Sequence, residues 1–299
     1  MWTGIDFLLV LQDLRLSLPD LVSDFFKFIS LSEFQYFIPV LLMAVLFWCF
    51  RKKDGELLMF NFGFSNIVGY VVKNIFKQPR PWIIDPALDP DQAAREGAPG
   101  YSLPSGHTTS AVSSYGTMAR LCRNPALKVT FLSLVVLIPF ARMYLSVHTP
   151  LDIIVAIVIV IVVCYINHRA LEWSYKDDRN RLYVLLGYFL VGLILSIVCD
   201  IFAGKVLSNK MCGFCTFLPI CLLIEERYVR YEVPSTSLKD RLLSAVPGLV
   251  IAMVIMEAAT RLIPTYGVTI GLTGAIVFII LIYPIAIRNL SSYEHHDAE

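Results

Sequence analysis

The sequence predicts an all-α protein, a polytopic bundle of transmembrane helices. Three observations predict it. First, 57% of the 299 residues are hydrophobic and only 16% are charged, with a mean hydropathy of +0.66, far from the balance of a soluble domain. Second, apolar stretches near the about 17 to 25 residues that cross a bilayer recur along the chain, separated by short polar breaks. Third, these stretches are too long and too uniformly apolar for barrel strands. Backbone amides in lipid must be satisfied within the segment, which leaves helices.

About nine spans are expected, at 34–50, 56–75, 106–121, 127–146, 150–167, 182–203, 211–224, 243–262 and 266–287, the seventh being short. Residues 1–31 differ. Asp6, Asp13, Arg15, Asp20, Asp24 and Lys27 interrupt their apolar runs, and Pro19 breaks the stretch in two. That pattern predicts an amphipathic segment lying in the membrane interface; helices packed against the bundle fit it equally. The chain therefore reads as an interfacial segment (1–31), a core of about five spans (32–170) and additional spans (171–299).

The net charge of +1 and the lack of a basic run give no footprint for nucleic acid. The seven cysteines lie mostly in apolar runs, where cysteine acts as a small hydrophobe, so no disulfide framework is expected. Cys212-Gly213-Phe214-Cys215 has the spacing of a redox or metal pair but no second pair or histidine nearby. No basic region precedes the first apolar stretch, so a removed signal peptide is not expected.

Orientation follows from lysine and arginine in short loops. With Arg51, Lys52 and Lys53 inside, alternate loops gather fifteen of the twenty-five basic residues on the cytoplasmic side. The amino terminus is then outside and the carboxyl terminus inside, and the Asn289-Leu290-Ser291 sequon is on the side where it is not used.

Three short stretches carry the chemistry: Lys73-x6-Arg80-Pro81, Pro104-Ser105-Gly106-His107 and Arg142-x5-His148-x3-Asp152. In the predicted topology all three fall at the extracytoplasmic ends of spans. Together they supply three fixed cations, two histidines and a carboxylate. A transferring phosphoryl group needs positioning and charge stabilisation above all. Lys73, Arg80 and Arg142 form a clamp, with arginine suited to bidentate phosphate contacts. Ser105 adds a hydroxyl donor, and Gly106 at a helix start lets its N–H approach an oxyanion. His148 is expected to be the nucleophile, with Asp152 four residues on accepting its Nδ1 proton across a helical turn. His107 is expected to protonate the leaving alcohol and then to deprotonate water. The three cations supply the charge a metal would bring, so neither metal nor other cofactor is expected.

With these spacings the chain resembles the type 2 phosphatidic acid phosphatase superfamily, whose signature is Lys-x6-Arg-Pro, Pro-Ser-Gly-His and Ser-Arg-x5-His-x3-Asp. The match runs from Lys73 to Asp152. The resemblance implies that Lys73, Arg80, Ser105, Gly106, His107 and Arg142 bind phosphate, that His107 is acid and base, that His148 is the nucleophile and that Asp152 orients it. Ala141 stands where the family usually has serine, which removes one donor. The longer plan looks like the glucose-6-phosphatase and sphingoid-phosphate phosphatase branches.

The expected function is metal-independent hydrolysis of a membrane lipid phosphate, through a phosphohistidine, at the extracytoplasmic surface. An isoprenoid diphosphate or a sugar phosphate is the alternative substrate, and a lipid or solute transporter is the alternative from another class. Asp85, Asp89, Asp91 and Glu96 in the loop 82–104 would disfavour very acidic head groups and favour amine-bearing ones. For the additional spans, packing on the core, a homo-oligomer interface and a lipid entrance are all open.

Overall fold

The computed structural model describes residues 4–31, 33–204, 210–263 and 265–287. The sequon at Asn289 and the carboxyl terminus lie outside the described residues. Among those described, every regular element is a helix.

Each of the nine expected spans coincides with helix, and they differ in length and apolar character. Six stretches are long and apolar enough to cross a membrane: Asp20–Phe50, Pro125–Tyr144, Pro150–Ser174, Asp178–Ala203, Leu238–Leu262 and Gly267–Ile287. Helices Gly106–Leu121 and Cys212–Ile224 have 16 and 13 residues. At 1.5 Å per residue they reach about 24 and 20 Å, short of a hydrocarbon core of about 30 Å. Helix Lys52–Phe76 has 25 residues, but Asp54, Glu56, Asn61, Asn66, Lys73 and Asn74 dilute its apolar character. On these six stretches the outward residues are apolar: on Asp178–Ala203, Leu190, Ile194, Ile197 and Ile201 are all exposed. A patch of that kind is a liability in water and the normal lining of a lipid-facing helix.

The helices form two compact units, one from 1–39 and 68–165, the other from 40–67 and 166–299. In the first, helices Gly106–Leu121 and Pro125–Tyr144 pack side by side. The turn between them is short because Asn124 caps the second helix, its Oδ1 accepting from the amides of Ala126 and Leu127, with Pro125 at the first helical position.

The amino-terminal segment forms two helices that pack on this pair. Ile5–Ser17 buries Ile5, Leu8 and Leu11 with Leu88, and its Gln12 both donates to the Ala87 carbonyl and accepts from the Asp89 amide. Asp20–Ile29 sets Phe26 against Tyr144, with ring centroids 4.5 Å apart, while Leu21, Phe25 and Phe28 stay exposed.

The second unit encloses charge. Arg181 donates to Glu56 at 2.8 Å and to Glu226 at 2.7 Å, and the Tyr175 hydroxyl donates to Glu56 at 2.8 Å. Lys52 pairs with the fully buried Glu225 at 2.7 Å. Arg51, Lys53, Arg230 and Tyr231 line a cavity of about 540 Å³ beside that pair. Cys212 and Cys215 are buried and form no disulfide, Cys215 lying against the would-be side chain of Gly63, which fits their reading as small hydrophobes.

Removing one partner of a buried pair leaves the other charge uncompensated. Arg181→Met is therefore expected to cost about 3–5 kcal/mol, read as a lowered unfolding midpoint in detergent. Pairing it with Glu56→Gln should recover part of the loss, since the orphaned carboxylate is gone.

Candidate active site

Each of the three stretches bends sharply just where its charged residues stand. Helix Lys52–Phe76 ends as Lys77 turns left-handed, at φ 48°, with its amide on the Lys73 carbonyl at 3.0 Å. Prolines 79 and 81 then keep Arg80 extended (φ −69°, ψ 153°). Ser105 caps helix Gly106–Leu121 and accepts from the Thr108 amide at 3.4 Å and its hydroxyl at 3.0 Å. Acceptance leaves the Ser105 proton to donate. Ser146, at φ 58°, turns the chain after Arg142 so that the amides of Val147 and His148 both point back to the Arg142 carbonyl, at 3.1 and 3.3 Å.

The cations are held mostly by main-chain oxygens. Lys73 Nζ donates to the carbonyls of Tyr101 and Ser102 at 2.9 and 3.2 Å. Arg80 donates to Pro99, Gly100 and Val147 carbonyls at 3.1, 3.1 and 3.0 Å. Arg142 differs: it is 2% exposed, yet its Nε and Nη2 have no hydrogen-bond partner. A buried guanidinium left in this way is costly.

Arg80 Nη1 also lies 3.0 Å from His148 Nε2. A guanidinium can only donate, so Nε2 is the acceptor and the neutral ring carries its proton on Nδ1. That atom is 3.3 Å from Asp152 Oδ2. Burial, reinforced by the charges of Arg80, Lys73 and Arg142, holds His148 well below the usual histidine range. All three cations thus act on one neutral ring. Arg80 is itself lowered to about 10, chiefly by burial, and stays charged at neutral pH.

The geometry corrects one expectation. Asp152 was expected to reach His148 across a helical turn, but the helix starts at Pro150 and His148 precedes it. The contact comes from a capping box: Thr149 Oγ1 accepts from the Asp152 amide at 3.3 Å, and Asp152 Oδ2 accepts from the Thr149 amide at 2.7 Å. Asp152 Oδ2 also accepts from Ser102 Oγ at 2.6 Å, and the Asp152 carbonyl accepts from the Ser105 amide at 3.2 Å. The third stretch is tied in this way to the second.

His107 lies in the first turn of helix Gly106–Leu121, its Nε2 3.1 Å from the Ser30 carbonyl. The structure therefore gathers Lys73, Arg80, Arg142 and Asp152 around His148. Ser105 and its neighbours Gly106 and His107 are bonded in through the Asp152 carbonyl.

Sequence reasoning missed Ser102, Thr149 and the Ser30 carbonyl. Thr149-Pro150-Leu151-Asp152 is readable as a capping box, but Ser102 and Ser30 lie 50 and 77 residues from their partners and leave no local signal.

Fixed cations around an uncharged histidine, set among apolar helices, form a site suited to a phosphoryl group. Residues 57–176 match the model of the PAP2 superfamily, whose members are phosphoric ester hydrolases. A search of curated proteins and one of solved structures each returned no match.

Ser102→Ala removes a donor from Asp152 and should lower kcat roughly tenfold, the worth of one hydrogen bond to a charged group, with KM near the wild-type value. Ser102→Thr, which keeps the hydroxyl, should restore most of it in the same phosphate-release assay.

Proposed function

We propose that the protein hydrolyses a membrane lipid phosphate without a metal, through a phosphohistidine, at the extracytoplasmic surface. The observation that carries this reading is Arg142, a buried guanidinium with two unpartnered donors beside two further cations and a neutral histidine. An anion with several oxygens satisfies all of them at once.

The lipid's phosphoryl oxygens take the free donors of Arg142, the Lys73 ammonium, the Ser105 hydroxyl and the Gly106 amide. Arg80 Nη1, which lies on His148 Nε2, passes to a phosphoryl oxygen and uncovers the nucleophile's lone pair. Nε2 then attacks phosphorus as the phosphorus–alkoxide bond breaks. The departing oxygen takes a proton from His107, and the positive charge arising on the His148 ring is met by Asp152. Water next attacks phosphorus and gives a proton to His107. The phosphorus–nitrogen bond breaks, releasing inorganic phosphate and restoring both histidines.

The extracytoplasmic setting is supported by the charge parity of the loops, and the lipid substrate by a site built at the ends of apolar helices. The acids of loop 82–104 add little, because they serve locally. Asp91 accepts from the Ala94 amide and faces Lys27 at 3.7 Å, Asp85 accepts from the Ala87 amide, and Glu96 accepts from Gln92.

Wild type in detergent with chelator present should release phosphate from at least one of sphingoid phosphate, phosphatidate and phosphatidylglycerophosphate in preference to undecaprenyl diphosphate and glucose 6-phosphate. His148→Ala should be inactive on all of them. Residual turnover by that variant removes the nucleophile assignment, and dependence on added divalent metal removes the metal-free clamp.

The pH profile gives a separate check. Attack needs His148 unprotonated, and burial with the nearby cations holds its pKa well below 6.5, so on the acid side activity is lost as pH falls through that lowered value. The acid limb of kcat/KM, which reports the free enzyme, should therefore lie clearly under 6.5.

A further inference from the structure

The region that matches the superfamily begins at residue 57, yet the oxyanion end of the site touches residues well before it. A π-helical turn, Glu33–Phe37, packs on helix Gly106–Leu121. It is fastened just before Gln35. The Tyr115 hydroxyl, on a fully buried ring, donates to the Phe34 carbonyl at 2.7 Å, and the Ser30 carbonyl meets His107 at 3.1 Å. The Gln35 side chain, on the residue after Phe34, lies against the helix start. A Cβ added to Gly106 would meet one group only, the Gln35 carboxamide nitrogen, at 3.5 Å.

We propose that Gln35 is a further phosphate-binding residue, its carboxamide N–H donating to the phosphoryl oxygen that the Gly106 amide also binds. This rests on the phosphatase reading above only for the identity of the anion as substrate. An oxygen seated about 2.9 Å from the Gly106 N–H lies within reach of a carboxamide that touches the open face of the same glycine. The helix N-terminus behind Gly106 favours that charge. Gln35 is partly exposed and has no hydrogen bond to another described residue, so donating to a ligand breaks nothing.

The site also has a use for it. Ala141, fully buried beside Arg142, lacks the hydroxyl expected at its position, leaving the anion one donor short. Gln35 restores the count from the opposite side of the chain's order, 71 residues before Gly106. Unlike an added cation, a neutral donor does so without further repulsion among Lys73, Arg80 and Arg142.

The test is a titration of inorganic phosphate against the full-length protein in a neutral detergent, comparing wild type with Gln35→Met and Gln35→Glu. Methionine keeps the length and volume without a donor; glutamate replaces the donor with a negative charge. The phosphate Kd should rise roughly tenfold in Gln35→Met and further in Gln35→Glu, with unfolding midpoints unchanged. Equal Kd values in wild type and Gln35→Met overturn the proposal, as does a wild type that binds no phosphate. If Gln35→Met unfolds, Gln35→Asn, which withdraws the donor by one methylene, is read against the same expectation. The two readings separate cleanly. Phosphate binding that depends on Gln35, in a protein that releases none from any lipid, leaves the proposal standing and removes the proposed activity.

Discussion

Three cations sit together in the interior of the first unit with one carboxylate between them, and the fold there is organised around making that tolerable. Buried charge is affordable only when hydrogen-bonded. The loop 99–102 meets the need with consecutive main-chain carbonyls, two for Arg80 and two for Lys73. Carbonyls are neutral acceptors, so they hold the cations in place without cancelling their charge. A set of carboxylates would have satisfied the same donors and left nothing to attract a phosphate. Arg142 is the cation whose Nε and Nη2 find no such acceptor, and the proposed anion fills that gap.

The two histidines are prepared in opposite senses. His148 has a donor on Nε2 and a carboxylate on Nδ1, an arrangement that keeps it neutral at rest and stabilises positive charge once Nε2 forms a bond. His107 has a neutral carbonyl on Nε2, which orients the ring without committing its charge. A group that must both give and take a proton within one cycle benefits from that weaker partner. The difference arises from position. Asp152 is fixed by the capping box and by Ser102, whereas the Ser30 carbonyl is the end of a helix and carries only a partial negative charge.

The amino-terminal helices therefore reach the site as well as showing an apolar outer face. Their inner face contacts Tyr144, between Arg142 and His148, and their last carbonyl contacts His107. Their outer face shows Leu21, Phe25 and Phe28. One short segment thus carries an apolar face directly behind His107, which suits the proposed substrate, whose phosphate is polar and whose tail is not.

Much of this was legible in the sequence. Hydropathy marked nearly every helix, because burial in lipid demands a long apolar run. The three stretches named the cations, the histidines and the carboxylate, because phosphoryl chemistry needs those groups at close spacing. Pro104-Ser105-Gly106 announced a helix start, because a serine cap is a local hydrogen bond. Hydropathy did not separate the long apolar helices from the shorter Gly106–Leu121 and the more polar Lys52–Phe76, since each carries enough apolar residues to read as a span. Nor did it reveal that Arg80 covers His148 across 68 residues, that Ser102 steadies Asp152, that Arg142 Nε and Nη2 lack a partner, or that Gln35 lies over Gly106. The sequence alone determined the chemical inventory and the membrane setting, which follow from residue type and near-neighbour spacing. Tertiary structure decided which donors are satisfied and which are left for a ligand, because a hydrogen bond depends on where distant main-chain atoms come to rest.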